Sequence, residues 1–374
     1  MKAMPTNRSS LKRLAAGLAA AFAAVTLNAH AGEPLYHLTV LSVPDATSVT
    51  VKDINDVGQI VGLYTDQDFV RHGVLWDSQG WHELARPPGV EVNVIADAIN
   101  NSGQIVGTSD DFVVPTLGLI WDAATPDQYT VLDPEAEVGV TPQDISDAGI
   151  VVGGLGVPSR AFVWTPEGGI VDYGVQDPNV EDQQARWTGI TASGKLVGFW
   201  NQHVSNIHAT VGQVGTPAVL SMSPSTEEVP TNAVGVNSAG VAVGLGLAVA
   251  TPDLVPVIFA TDGTFSEIEG ATLDQNNGSA TAINDSGIVV GTAGIGTANG
   301  PVPGLQAWVH RDGTTYDLFT VVDDNTAFTR FANAVAVNGA GVIVGTGRDA
   351  DDNVVSFVLT PLQADAVFAN GFDP

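Results

Sequence analysis

The 374-residue chain contains no cysteine, and only 13 lysines and arginines stand against 41 aspartates and glutamates. The first absence excludes disulfide scaffolds, cysteine-ligated zinc, iron–sulfur clusters, thiol nucleophiles and lipid attachment through an N-terminal cysteine. The second leaves a formal net charge of −28, which repels the phosphates of nucleic acid and anionic lipid heads alike. No nucleic-acid partner is expected. Charged residues are also scarce, at 14% against roughly 25% in soluble domains, whereas 44% of the chain is apolar. That is enough for a large core. Yet the longest apolar run falls short of the roughly 20 residues needed to cross a bilayer as a helix, so no membrane span is expected.

That run lies at the N-terminus. Lys2, Arg8, Lys12 and Arg13 precede the apolar stretch from Leu14 to Leu27, and Ala29-His30-Ala31 follows with small residues at alternate positions. This is the pattern of a secretory signal peptide over residues 1–31 with cleavage before Gly32, and it predicts a periplasmic or extracellular address. In that oxidising setting, a cysteine-free chain must draw its stability from packing alone.

Beyond residue 32 a phrase returns seven times: an apolar residue, then Asn, Ser or Thr, two variable residues, Gly, two variable residues, an apolar residue and a second Gly. The copies open at Ile54-Asn55, Ile99-Asn100, Ile145-Ser146, Ile190-Thr191, Val236-Asn237, Ile283-Asn284 and Val337-Asn338. Asn, Ser and Thr at the first turn position can bond the backbone two residues on, and the first Gly suits the left-handed residue of a bulged hairpin. Each phrase therefore predicts a β-hairpin. A third apolar run follows, as in Val74-Leu75-Trp76, Leu119-Ile120-Trp121 and Phe162-Val163-Trp164, and then a fourth short one. The fourth copy reads as degenerate in its third run.

Four strands per period of about 45 residues match the blade of a β-propeller. Continuous apolar runs such as Ile60-Val61-Gly62 mean that both faces of each sheet are covered, as they are when blades pack radially. The seventh copy supplies three strands, while an orphan strand, Tyr36 to Leu41, precedes the first copy. The expected fold is all-β: a seven-bladed propeller of four-stranded antiparallel blades over residues 32–362, its last blade completed by the N-terminal strand, with a tail at 363–374.

The phrases "INDVGQIVG", "INNSGQIVG" and "INDSGIVVG", followed by "GVLW" or "AFVW", resemble the HAF-family extracellular repeat across residues 36–362. The sequence departs from that pattern at Ser146 and Thr191, in the fourth copy, and in lacking the "HAF" spelling; Arg71-His72-Gly73-Val74 and Arg160-Ala161-Phe162-Val163 come nearest. The resemblance implies a secreted or surface repeat protein without an assigned catalytic set. The closing Phe368-Ala369-Asn370-Gly371-Phe372 is similar to short tails of some secreted bacterial proteins.

Site chemistry is sparse in the sequence. The loops on the face opposite the hairpin turns hold many carboxylates, among them Asp66, Asp68, Glu91, Asp110, Asp111, Glu135, Glu137, Asp177, Glu181, Asp182, Glu227, Glu228, Asp253, Asp274, Asp323, Asp324, Asp349, Asp351 and Asp352, with Arg71, Arg160, Arg186, Arg330 and Arg348 beside them. Asp349-Ala350-Asp351-Asp352-Asn353 has the opening spacing of a calcium loop, but Val354 and Thr360 replace the Gly and Glu of an EF-hand. His203 and His208 are five apart in an expected loop with Asn201 and Asn206, where they could converge on a metal or substrate. His310 stands at the Trp position of its repeat. No histidine pair has zinc spacing, no G-x-S-x-G elbow is present, and Gly294 to Gly300 lacks the spacing of a dinucleotide loop. No cofactor or metal is expected, and no catalytic residue is assigned. Trp76, Trp121 and Trp164 read as packing between blades; Trp81, Trp187 and Trp200 fall off the pattern and are candidates for contact with carbohydrate. The chain reads as a monomeric binding module for a carbohydrate or protein on that loop face. A propeller hydrolase or lyase acting on extracellular polysaccharide is the alternative.

Overall fold

The structure is a computed structural model and describes residues 34–362 apart from 89–92, 111–114, 176–182, 203–205, 222–230, 248–253, 262–263, 272–277 and 295–305. The predicted signal peptide and the tail lie outside the described residues. Seven four-stranded antiparallel sheets are present among those described, each built from consecutive strands except the last. Blades 1 to 6 span residues 48–83, 93–131, 140–174, 183–221, 232–267 and 278–317; blade 7 joins Arg330–Val337, Ile343–Arg348 and Val354–Pro361 to the N-terminal strand Tyr36–Leu41. Tyr36 pairs with Pro361 and Leu41 with Ser356. The expected closure is thereby realised: the first strand is the outer edge of the last blade, and the ring has no open end. The fourth copy proves regular, since Asn206–Gln213 fills the place of its third strand.

The first strand of every blade is the innermost, touching the inner strands of both neighbours around the axis. Apolar clusters lie between adjacent blades. The one between blades 1 and 2 contains Val61, Leu75, Leu84, Val94, Ile105, Leu119 and Trp121, and the one between blades 7 and 1 contains Val51, Ile60, Trp76, Val344 and Val358. Both faces of each sheet are buried, which is why the strands read as unbroken apolar runs.

The repeated phrase has two structural meanings. Its first glycine takes the left-handed conformation in all seven copies, with φ between 75° at Gly149 and 85° at Gly58. The Asn before it works harder than its role in the turn requires. Asn55 Oδ1 accepts from Gln59 N at 2.9 Å, four residues on, while Nδ2 donates to the carbonyl of Asn100 in the next blade at 3.0 Å. Asn100 repeats both contacts, reaching the Ser146 carbonyl at 2.9 Å; Asn237 and Asn284 reach those of Asn284 and Asn338. Ser146 and Thr191 keep only the turn contact, to Ile150 N and Lys195 N. At the second of these gaps Lys195 Nζ donates to the Gly240 carbonyl at 2.6 Å and restores a link between blades 4 and 5.

The second glycine answers a bulge. In each blade the pairing of the inner strand slips by one residue, as between Val51 and Asp53 or Ala96 and Ala98. The displaced carbonyl leaves no room for a side chain opposite: a Cβ on Gly62 would lie 2.1 Å from Thr50 O, and one on Gly107 1.9 Å from Ile95 O. The skipped residues are Lys52, Asp97, Gln143, Thr188, Val234, Thr281 and Val335, in blade order. They occur at one height around the axis.

Candidate functional site

These seven residues line a central cavity of about 410 Å³, together with Asp53, Ala98, Asp144, Gly189, Gly235, Val236, Ala282, Ile283, Ala336 and Val337. A second depression, of about 240 Å³, lies at the hairpin turns and shares Asp53, Val236, Ile283 and Val337 with it. The two meet along the axis at that level. The lumen is asymmetric in chemistry: blades 1 to 3 contribute Lys52, Asp53, Asp97, Gln143 and Asp144, whereas blades 5 to 7 contribute mainly Val, Ala, Gly and Ile.

Hydrogen bonding separates the polar groups that hold the ring together from those that do not. Thr188 and Thr281 donate to the carbonyls of Ala233 and Ala334 in the following blades, each at 2.7 Å. Asp53 accepts from Ile54 N and, across to blade 2, from Ile99 N at 2.9 Å; Asp144 accepts from Ile145 N and, across to blade 4, from Ile190 N at 2.8 Å. Lys52 and Asp97 face each other from blades 1 and 2 as a loose ion pair without a hydrogen bond between them, and Gln143 makes no bond to another blade among the described residues. Asp97 makes no hydrogen bond among the described residues, and Lys52 Nζ stands 3.8 Å from its Oδ1, beyond direct bonding distance. Gln143 uses Nε2 on the carbonyl of Pro142, next to it in sequence, which leaves Oε1 without a partner among the described residues.

Burial pushes the Asp53 carboxyl up to about 7, against the pull of its two backbone donors, with the charge of Asp144 adding to the rise. Asp144 is raised to about 6 by burial. Asp97 is also raised to about 6 by burial, opposed by the positive charges of Lys52 and Arg186. The lumen thus holds three carboxylates that are costly to ionise, on the wall that also carries a lysine.

Most residues singled out in the sequence are otherwise employed. Asp349 accepts from Asp351 N, Asn353 N and Asn353 Nδ2, so the calcium-like spacing encodes a loop closed by its own N–H groups. Blade 1 has the same turn, in which Asp66 accepts from Asp68 N and Val70 N. Asp323 holds the N-terminal strand through His37 and Leu38 N. Among the described residues no group of three or more His, Asp or Glu is arranged to hold a metal ion. His208 sits in a strand rather than a loop, stacked 4.5 Å from Trp200. Trp187 is fully buried at the spot a Cβ on Gly212 would occupy, which removes it as a sugar platform. Trp81 is 40% exposed and edges Tyr64, whose ring stacks on His72, itself bridging Asp66 and Glu83 at 2.9 Å each. Glu91, Asp111, Asp177, Glu181, Asp182, His203, Glu227, Glu228, Asp253 and Asp274 lie outside the described residues, and the side chains of Asp110 and Asn206 do too.

Sequence reading did not single out Lys52, Asp97 or Gln143. The signal was there: each stands three residues before the Asn or Ser that opens its turn, a column reading Lys, Asp, Gln, Thr, Val, Thr, Val within an otherwise apolar frame.

No protein-family model matches the chain, and no curated protein does. The structure is similar to solved propellers: oligogalacturonate lyase from Vibrio parahaemolyticus (TM-score 0.54, 9% identity, covering 89% of this chain and 100% of that one), and virginiamycin B lyase from Staphylococcus aureus (TM-score 0.52, 11% identity, 87% and 100%). The propeller domain of the Trilobed protease from Pyrococcus furiosus is similar too (TM-score 0.53, 11% identity, 87% and 100%), and has an open velcro topology. At such identities the likeness is one of fold. Distant neighbours of this fold include lyases and peptidases.

Proposed function

We propose that the protein is an exported binding module of the HAF-repeat type whose ligand sits in the central channel. The observation that carries this is the set of free polar groups of Lys52, Asp97 and Gln143 in a cavity of about 410 Å³, a volume within the roughly 300–1,000 Å³ of small-molecule sites. Export rests on the N-terminal pattern of residues 1–31, and no helix among the described residues is long and apolar enough to cross a membrane. The loop face, proposed from sequence as the seat, loses ground because Asp66, Asp324 and Asp349 bond N–H groups of their own turns and Asp323 holds the N-terminal strand.

The alternative, a propeller hydrolase or lyase acting on polysaccharide, draws support from the raised carboxyls of Asp53 and Asp144, the kind of group that serves general acid chemistry. Both carboxyls also bind backbone N–H groups of two blades, which accounts for their presence without catalysis. An oligogalacturonate-like polymer fits poorly, since its anionic units would meet Asp53, Asp97 and Asp144. A thermal-shift screen of the mature protein against glycans and small metabolites tests the reading. Hits are expected to vanish in Val335→Trp, which fills the lumen, and to persist in Phe69→Ala, which trims an exposed loop residue. Hits that survive Val335→Trp and vanish in Phe69→Ala would move the site to the loops; turnover of a glycan would favour the enzyme.

A further inference from the structure

We infer that the channel recognises an uncharged sugar ring, with Lys52, Asp97 and Gln143 bonding its hydroxyls and the Val234 and Val335 side of the lumen covering its C–H face. The inference rests on the channel being the ligand seat. Its first support is the gap between Lys52 and Asp97. The two groups stand 3.8 Å apart, so an ammonium donor and a carboxylate acceptor lie side by side with their hydrogen-bonding capacity unspent. A hydroxyl donates and accepts at once. Neighbouring hydroxyls on a ring can therefore take a bond from Lys52 and give one to Asp97, with Gln143 Oε1 as a second acceptor in the next blade.

The second support is the division of the lumen. The free polar trio comes from blades 1 to 3, while Val234 and Val335 stand at the same bulge position in blades 5 and 7, with Gly235 and Ala336 beside them. A pyranose has this division: hydroxyls around its edge and an apolar face of C–H groups. Charge gives the third support. Lys52 and Arg186 act on Asp97 from the positive side, and Asp53 and Asp144 add negative charge nearby. Since the lumen lining carries one lysine against Asp53, Asp97 and Asp144, its excess of carboxylates disfavours an anion such as a uronate.

Calorimetric titration of the mature protein tests this, with D-glucose, D-galactose and D-mannose as neutral probes, sodium D-galacturonate as the anionic probe and L-leucine as a zwitterion with an apolar body. At least one neutral hexose is expected to bind, at least tenfold more tightly than galacturonate or leucine. Asp97→Asn and Lys52→Met are each expected to weaken that binding tenfold or more, and Gln143→Ala several-fold. Thermal midpoints close to that of the parent protein would show that the variants fold. Preferential binding of leucine, abolished by Asp97→Asn, would overturn the sugar while keeping the channel as the seat. Hexose binding unchanged in all three variants, or no hexose binding by the folded parent, would overturn the inference itself; unchanged binding in Val335→Trp as well would overturn the channel reading.

Discussion

The side-chain amide of Asn338 donates to the backbone carbonyl of Asn55 at 3.1 Å, across 283 residues of sequence. The contact is the same one that Asn55 makes to blade 2 and Asn284 makes to blade 7. It therefore carries the series of blade-to-blade links across the same seam that the Tyr36–Leu41 strand closes, leaving the gap at Ser146 as the break in the series. Replacing Asn338 by Ala removes the link and strips the buried Val342 N–H of its acceptor, Asn338 Oδ1 at 2.9 Å, while the Asn55 carbonyl keeps its bond from Gly58 N; the expected cost is about 1–3 kcal/mol. Ser146→Asn supplies a link the native chain lacks and is expected to stabilise by about 0.5–1.5 kcal/mol. Urea unfolding of the two variants checks both signs.

The two glycines of one phrase should differ sharply in tolerance. Gly287 has φ +78°, and nothing lies within 4 Å of the place an added methyl would take, so Gly287→Ala costs only the left-handed strain of about 1–2 kcal/mol. A Cβ on Gly291 would lie 2.3 Å from both Ser279 O and Trp308 Cζ2. Gly291→Ala is expected to cost more than about 3 kcal/mol, because backbone and a buried indole must both shift. Equal midpoints in a thermal melt would refute the bulge explanation of the second glycine.

Removing residues 34–41 strips the outer strand from blade 7 and uncovers the edge of Val354–Pro361. The fully buried Tyr36 goes with it. A bare edge pairs with other chains, so the truncated protein is expected to melt earlier and to self-associate in size-exclusion chromatography. A monomer with an unchanged melting temperature would show that closure contributes nothing.

The lumen carboxyls make stability depend on pH in a direction opposite to that of a salt-bridged acid. Asp53, Asp97 and Asp144 hold protons more tightly in the folded chain, at about 7, 6 and 6, than at the ordinary value of 3.8. Between pH of about 4 and 7 the folded state binds more protons than the unfolded one, so stability falls as pH rises through that window, by about 1.4 kcal/mol per unit of displacement. Asp66 and Asp349 run the other way: hydrogen bonds from His72 and Asn353 lower them, and their contribution disappears as pH falls through their depressed values. The melting temperature is expected to be higher at pH 5 than at pH 8, and Asp97→Asn should flatten that slope. A midpoint rising steadily from pH 5 to pH 8 would contradict the assignment.

The fold was legible in the sequence because its constraints recur. Seven turns each need a left-handed residue, seven bulges each forbid a Cβ, and both demands leave a glycine at a fixed spacing. The blade count and the hairpins followed from Gly58, Gly62 and their counterparts, and the closing strand from the orphan run Tyr36–Leu41 ahead of a last copy with three strands. The reason for Asn55 and Asn338 did not, because a contact between blades has no local period; reading them as turn formers gave half of their work. The site was harder still. Acidic loops draw attention by composition, yet Asp66 and Asp349 serve their own turns. Lys52, Asp97 and Gln143 are single residues in a column whose height on the axis shows only after folding. His208 was placed in a loop for a related reason: the worn fourth copy hid the strand Asn206–Gln213 that long-range pairing nevertheless forms, and Trp187 stood off the pattern because its indole fills the space over Gly212 of that strand.

The most direct test of the channel as ligand seat is a crystal structure of the mature protein soaked in the neutral hexose that titrates most tightly. Density for the ring within bonding distance of Lys52 Nζ and the Asp97 carboxylate, with its C–H face toward Val234 and Val335, is the expected result. Density on the loops of the opposite face, with only water between Lys52 and Asp97, would contradict it.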